Sequence, residues 1–254
     1  MATVALPQTK AVKVRPPRQY DNHFFSAMAF LILVTVLVGF GRTYFLAGVF
    51  RAPLPSLIIH IHGAVFSSWI LLLITQIGLV SAGRVDIHRR LGLAGFGLAC
   101  LMIVLGVLAA SNALARGFAP PGSGFDPRTF YAIPLVDMLI FAALVFFAYR
   151  ARFHPAAHKR LILIATISIM DAPTGRPPFA AITAHPFLGS TFVAIFLLLL
   201  VAYDLWSTRK VHRATIWASL FVLTAQQLQV PLGNTAAWHT FATWAQTLAR
   251  STHP

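Results

Sequence analysis

A chain of 254 residues that is 57% hydrophobic and only 10% charged has too little polar surface to cover a soluble globule. Its mean hydropathy of +0.74 makes bilayer lipid its solvent. The net charge of +14 does not imply a nucleic-acid partner, because the basic residues sit in short clusters between apolar runs, as they do where charge orients membrane helices.

All six acidic residues are Asp, whereas surface helices of soluble proteins rely on Glu. Residues 1–22, with Lys10, Lys13, Arg15 and Arg18 and a Pro-Pro pair, read as a basic cytoplasmic tail. Seven apolar runs follow, at about 24–46, 56–81, 90–113, 130–150, 158–172, 187–206 and 213–230. Most approach the roughly 20 residues a helix needs to cross a bilayer. The first is too long, and its upstream tail too extended, for a cleaved signal peptide, so it reads as a retained anchor. The fifth is short and is ended by Pro173, Pro177 and Pro178. Pro231 closes the seventh, and Phe241, Trp244 and Leu248 then recur at the spacing of an interfacial helix over 233–254.

The expected architecture is therefore an all-α polytopic transmembrane bundle of about seven helices over 23–232. Orientation follows from the basic residues. The tail, the turns at 84–90, 150–160 and 209–213 hold 14 of the 20, so these connections are cytoplasmic, with the N-terminus inside and the C-terminus outside. Tyr and Trp residues cluster at the two interface levels, Trp69 excepted. The lone Cys100 lies in an apolar run, which excludes a disulfide framework and a Cys-x-x-Cys redox pair. No Gly-rich phosphate loop, nucleophile elbow or Ser-x-x-Lys arrangement stands in a suitable context, so soluble enzyme chemistry is not indicated.

Ionisable groups inside a membrane are costly, so each is a candidate for function. A 1.5 Å rise per residue puts His60 and His62 roughly 6–9 Å below the outer end of the second helix, and Asp137 and Asp171 about 10 Å below the outer surface. Gln226 and Gln227 reach the same level. Two His and two Asp suit Zn, Fe, Mn or Cu as a metal site, and equally suit a proton relay. Structural pairing is the plainer expectation, Asp137 with His62 or Arg42 and Asp171 with Arg176. His60 and His62 are two apart, about 200° around a helix, and do not both face one site. His62, Trp69 and Gln76 recur every seven residues and mark one face. A b-type haem needs a second axial His at the same depth, and only a loop residue such as His185 or the cytoplasmic His set offers one.

The three cytoplasmic turns echo one another: Arg84 with His88-Arg89-Arg90-Leu91, Arg152 with His158-Lys159-Arg160-Leu161, and Arg209 with His212-Arg213. Basic residues with a His are ordinary at such an interface, but bundle closure would bring His88, His158 and His212 near one another. The stretch His62-Gly63, Trp69, Gln76, His88-Arg89-Arg90-Leu91-Gly92 and His158-Lys159-Arg160-Leu161 with Ala165-Thr166 resembles uncharacterised bacterial multi-pass membrane proteins. It is loosely similar to His-bearing membrane families linked to cytochrome oxidase assembly. The resemblance spans about 55–170, implies a bacterial inner membrane, and draws attention to His62, Gln76, His88 and His158. Trp69 and His212 join Gln76, His88 and His158 as candidate cofactor-binding residues, with His60, His62, Asp137 and Asp171 as candidate metal ligands.

Three functions are compatible with these features. The first is metal or haem handling, in redox chemistry or in assembly of a respiratory complex with other membrane subunits. The second is a small proton-coupled transporter. The third is a structural accessory subunit.

Overall fold

A computed structural model describes residues 20–51, 56–120, 122–176, 179 and 190–251. The chain before residue 20, most of the expected start of the sixth helix and His185 lie outside the described residues. The helices are α1 (Asp21–Phe40), α2 (Leu57–Ser81), α3 (Val85–Ala115), α4 (Pro127–Arg150), α5 (Pro155–Ser168), α6 (Thr191–Thr208), α7 (Arg213–Gly233) and α8 (Ala236–Ser251). Short helical turns at Gly41–Phe45, Ala47–Phe50 and Asp171–Thr174 complete the regular structure, and the described residues contain no strand.

The boundaries follow local chemistry. Asp126 caps α4 by accepting from the Arg128 backbone N–H at 2.8 Å, and Pro127 takes the first helical position, where no N–H is needed. The Arg128 guanidinium also holds the Asp126 carboxyl below the usual carboxylate range. Pro155 starts α5 in the same way, three residues before the expected start. Gly83, at φ 72°, turns the chain between α2 and α3. Pro231 does not close α7, which runs on to Gly233, since a proline in the last turn removes one hydrogen bond from a ladder already ending.

The fifth apolar run departs most from expectation. α5 stops at Ser168, and the chain turns at Ile169 and Met170 before the short Asp171–Thr174 helix. Pro173 explains the position. It has no N–H to give the carbonyl four residues back, that of Ile169, and its ring crowds that oxygen. Gly39 of α1 seats this turn, since a Cβ there would collide with the Pro173 backbone.

Five helices are long and apolar enough to cross a bilayer: α1 with its extension to Phe45, α2, α3, α4 and α6. α5, with 14 residues, is too short to cross alone. α7 has 21 residues, but Gln226, Gln227 and Gln229 make it more polar. α4 is central, packed against α3, α5, α7 and α8, while α2 joins α3 to α1 and α6 lies against α5 and α7. Large apolar side chains such as Phe30, Leu71, Phe147, Leu198 and Trp217 point outward, whereas Arg160, Asp204, Thr166, Thr215, Gln226 and Gln229 are buried. Polar groups inside and apolar groups outside are the arrangement lipid demands, and the protein is a multi-pass membrane protein.

Two ion networks, one half-buried and one fully buried, fasten the end of the bundle that carries the basic hairpins. Asp21 at the start of α1 pairs with Lys159 of α5 and accepts from the Tyr203 hydroxyl of α6 at 2.6 Å. Arg160 of α5 and Asp204 of α6, both fully buried, form a bidentate pair. Asp204 further accepts from the His212 backbone N–H at 3.0 Å and the Thr215 hydroxyl at 2.7 Å, drawing in α7.

Removing one partner of a buried pair strands the other charge, so Arg160→Ala is expected to cost about 3–5 kcal/mol. Arg90→Ala, at the matching position of the first hairpin, changes an exposed side chain and should stay within about 0.5 kcal/mol in thermal unfolding in detergent. Gly39→Ala should lose about 1–3 kcal/mol by the same measurement. Gly97→Ala, whose new Cβ meets nothing within 4 Å, should lose none.

Candidate functional site

The expected layer of His and Asp residues divides into separate groups. α4 begins at Pro127, so Asp137 lies ten residues, about 15 Å, inside its helix. It is buried and accepts from Gln229 Nε2 of α7 at 2.6 Å. Asp171, at the break after α5, accepts from Gln226 Nε2 at 2.8 Å through Oδ2. The same Gln226 amide donates to the Ser168 carbonyl at 3.1 Å and also interacts with Asp137. Gln226 thus stands between the two carboxylates. Asp171 Oδ1 and Gln226 Oε1 are buried and have no hydrogen-bond partner.

The pairings expected for these carboxylates do not form. Arg176 donates to the Ala172 carbonyl and lies 4.4 Å over the Phe40 ring, and Arg42 lies 5.1 Å over Phe50. His62 stacks on Phe66 at 4.0 Å, beside the Leu105 backbone. Among the described residues, neither Asp137 nor Asp171 has an ion-pair partner. Two negative charges here would face each other across one amide in a low-dielectric interior. Such a charge pair is costly in that setting, since neither carboxylate has a positive partner among the described residues.

The metal-ligand set of His60, His62, Asp137 and Asp171 is not brought together. Among the described residues no group of three or more His, Cys, Asp or Glu side chains converges as a metal site. The reason is helical geometry combined with the Gln amides. His60 points to the Tyr44 hydroxyl, 3.1 Å from its Nδ1, while His62 turns to Phe66, and the carboxylates are taken up by α7.

Of the candidate cofactor-binding residues, three do meet. The His88 and His158 rings pack edge to face with centroids 6.3 Å apart, and Gln76 Nε2 donates to the His88 carbonyl at 3.3 Å. His158 Nδ1 lies 2.9 Å from the Ala148 carbonyl, which can only accept, so Nδ1 carries a hydrogen. His88 Nδ1 and Gln76 Oε1 are buried without partners. The basic residues of the first two hairpins crowd this end, which disfavours a divalent cation. Trp69 and His212 belong elsewhere. Trp69 donates to the Thr166 hydroxyl at 3.1 Å in the core, and His212 caps α7 by accepting from the Ala214 N–H at 3.1 Å.

Gln229, which holds Asp137, was missed from the sequence because the expected level on the seventh helix drew attention to Gln226 and Gln227. Gln227 instead donates to the Ser190 hydroxyl at 3.0 Å. The available signal was helical spacing, since Gln226 and Gln229 are three apart and share a face. Comparison of the chain with protein-family models, with curated proteins and with solved structures finds no match.

The Asp137–Gln229 contact can be tested by stability. Asp137→Asn retains an acceptor for Gln229 and should unfold within about 1 kcal/mol of the parent, whereas Asp137→Leu leaves that buried amide unmet and should cost roughly 1–3 kcal/mol. Thermal unfolding in detergent distinguishes the two.

Proposed function

We propose that this is a proton-coupled carrier of a bacterial inner membrane, with seven spans, its N-terminus in the cytoplasm, and its proton site at Asp137 and Asp171. The observation that carries the reading is a buried and a half-buried carboxylate joined through Gln226, with no ion-pair partner for either among the described residues. Intramembrane Asp residues are costly to place in lipid and mark proton and ion pathways in pumps and transporters.

The break in the fifth run supports the same reading. Transporter sites form where a membrane helix is interrupted, because freed carbonyls and half-helix ends then face the site. Here the break lies at Ile169 and Met170, directly before Asp171, and the Ser168 carbonyl already joins the cluster through Gln226. With α5 and its following turn counted as one interrupted span and α7 as another, the five long apolar helices become seven. The asymmetry of basic residues then sets the basic hairpins on the cytoplasmic side. On this reading protonation of the pair alternates with exposure of the site, and the His88–His158 pair lies at the cytoplasmic end.

The test is proton movement in proteoliposomes that enclose a pH-sensitive dye, under an imposed pH gradient. The parent protein should acidify or alkalise the lumen faster than protein-free vesicles. Asp171→Asn and Asp137→Asn should each fall to the protein-free background while remaining folded in detergent. Unchanged flux in both variants would rule out the assignment.

A further inference from the structure

At the end of the bundle opposite the basic hairpins, α8 lies across α3 and α4. It is fastened there by polar contacts to both. Gln246 Nε2 donates to the Leu114 carbonyl at 2.8 Å, Arg250 Nε to the Ala115 carbonyl at 2.9 Å, and Trp238 Nε1 to the Arg128 carbonyl at 2.8 Å. Between the three helices runs a groove of about 340 Å³ whose walls include Leu108, Tyr131, Phe241, Trp244 and Ala245. Its polar edge is the Ser111 hydroxyl, 2.9 Å from the Tyr131 hydroxyl.

Two cations adjoin the lining residues, Arg116 one helical turn after Asn112 and Arg250 directly after Ala249. Arg116 caps the C-terminus of α3 and donates through Nε to the Asn112 carbonyl at 3.3 Å, within the same helical turn that receives Arg250. Both side chains are exposed, and each spends its Nε–H on a carbonyl, which leaves its terminal N–H groups as further donors. Neither has a carboxylate partner among the described residues, whereas the neighbouring Arg128 is neutralised by Asp126 at 3.1 Å. The groove therefore combines apolar walls, a hydroxyl pair and two adjoining guanidinium groups at interface level.

We infer that this groove holds an anionic phospholipid, one acyl chain along Leu108, Phe241 and Trp244, the ester region beside Ser111 and Tyr131, and the phosphate against Arg116 and Arg250. The charge complementarity selects the occupant. A zwitterionic lipid brings a cationic group to the same place and loses much of the attraction, while planar guanidinium groups match phosphate oxygens well. The assignment does not depend on proton transport.

Native mass spectrometry of the full chain in detergent tests it, with dioleoyl phosphatidylglycerol and dioleoyl phosphatidylcholine as the probes, since these differ only in headgroup. One phosphatidylglycerol should bind about 25-fold more tightly than phosphatidylcholine, from roughly fivefold for each of the two Arg residues beside an anionic headgroup. The double variant Arg116→Gln, Arg250→Gln should erase that preference, and the double Lys variant should keep most of it. Ala245→Phe, which fills the groove, should weaken both lipids. Equal binding of the two lipids by the parent, a preference that survives the double Gln variant, or undiminished binding in Ala245→Phe would each overturn the inference.

Discussion

The buried Arg160–Asp204 pair is the constraint on which the rest of the bundle depends. α5 has 14 residues, too few to cross a bilayer by itself, and needs tertiary contacts to hold its position. Arg160 supplies them. Its guanidinium engages both oxygens of Asp204 on α6, and the same carboxylate gathers the His212 N–H and Thr215 hydroxyl at the start of α7. Three helices thus meet on one carboxylate. Such a pair is costly to bury, and it holds because every strong hydrogen-bonding direction of the Asp is answered.

With that end fixed, the other end of α5 is free to be irregular. Pro173 interrupts the ladder at Ile169, and the break delivers Asp171 to Gln226 of α7 instead of continuing a smooth helix. Gly39 allows α1 to close over the turn. Asp137 reaches the same helix through Gln229. The carboxylates are therefore positioned by α7, whose glutamines make it more polar than its neighbours and tie it to both sides of the cluster.

The two matching hairpin motifs show how far local pattern falls short of environment. His88-Arg89-Arg90-Leu91 and His158-Lys159-Arg160-Leu161 share a pattern, yet Arg89 and Arg90 are exposed while Arg160 is fully buried. The difference lies in the neighbours. α5 has Asp21 and Asp204 opposite its first turn, and Asp86, the nearby acid of the first hairpin, lies on the same exposed surface as Arg84, 3.7 Å away. The meeting of His88 with His158 was foreseeable from the motifs, but the diversion of His212 to a helix cap was not.

Hydropathy alone determined that the protein is a helical membrane bundle, and it located the helices to within a few residues, because lipid imposes length and composition on every span. It also marked Asp137 and Asp171 as the groups to watch, since charge at that depth is rare. Their partners were decided only by tertiary structure. Depth along a helix follows from residue number, but the face a side chain presents, and whether the neighbour there is Arg42, Arg176 or a glutamine of α7, follows from how the helices pack. That packing separated His60 and His62 from the carboxylates, replaced the expected ion pairs with amides, and left Asp137 and the half-buried Asp171 without a cation of their own among the described residues.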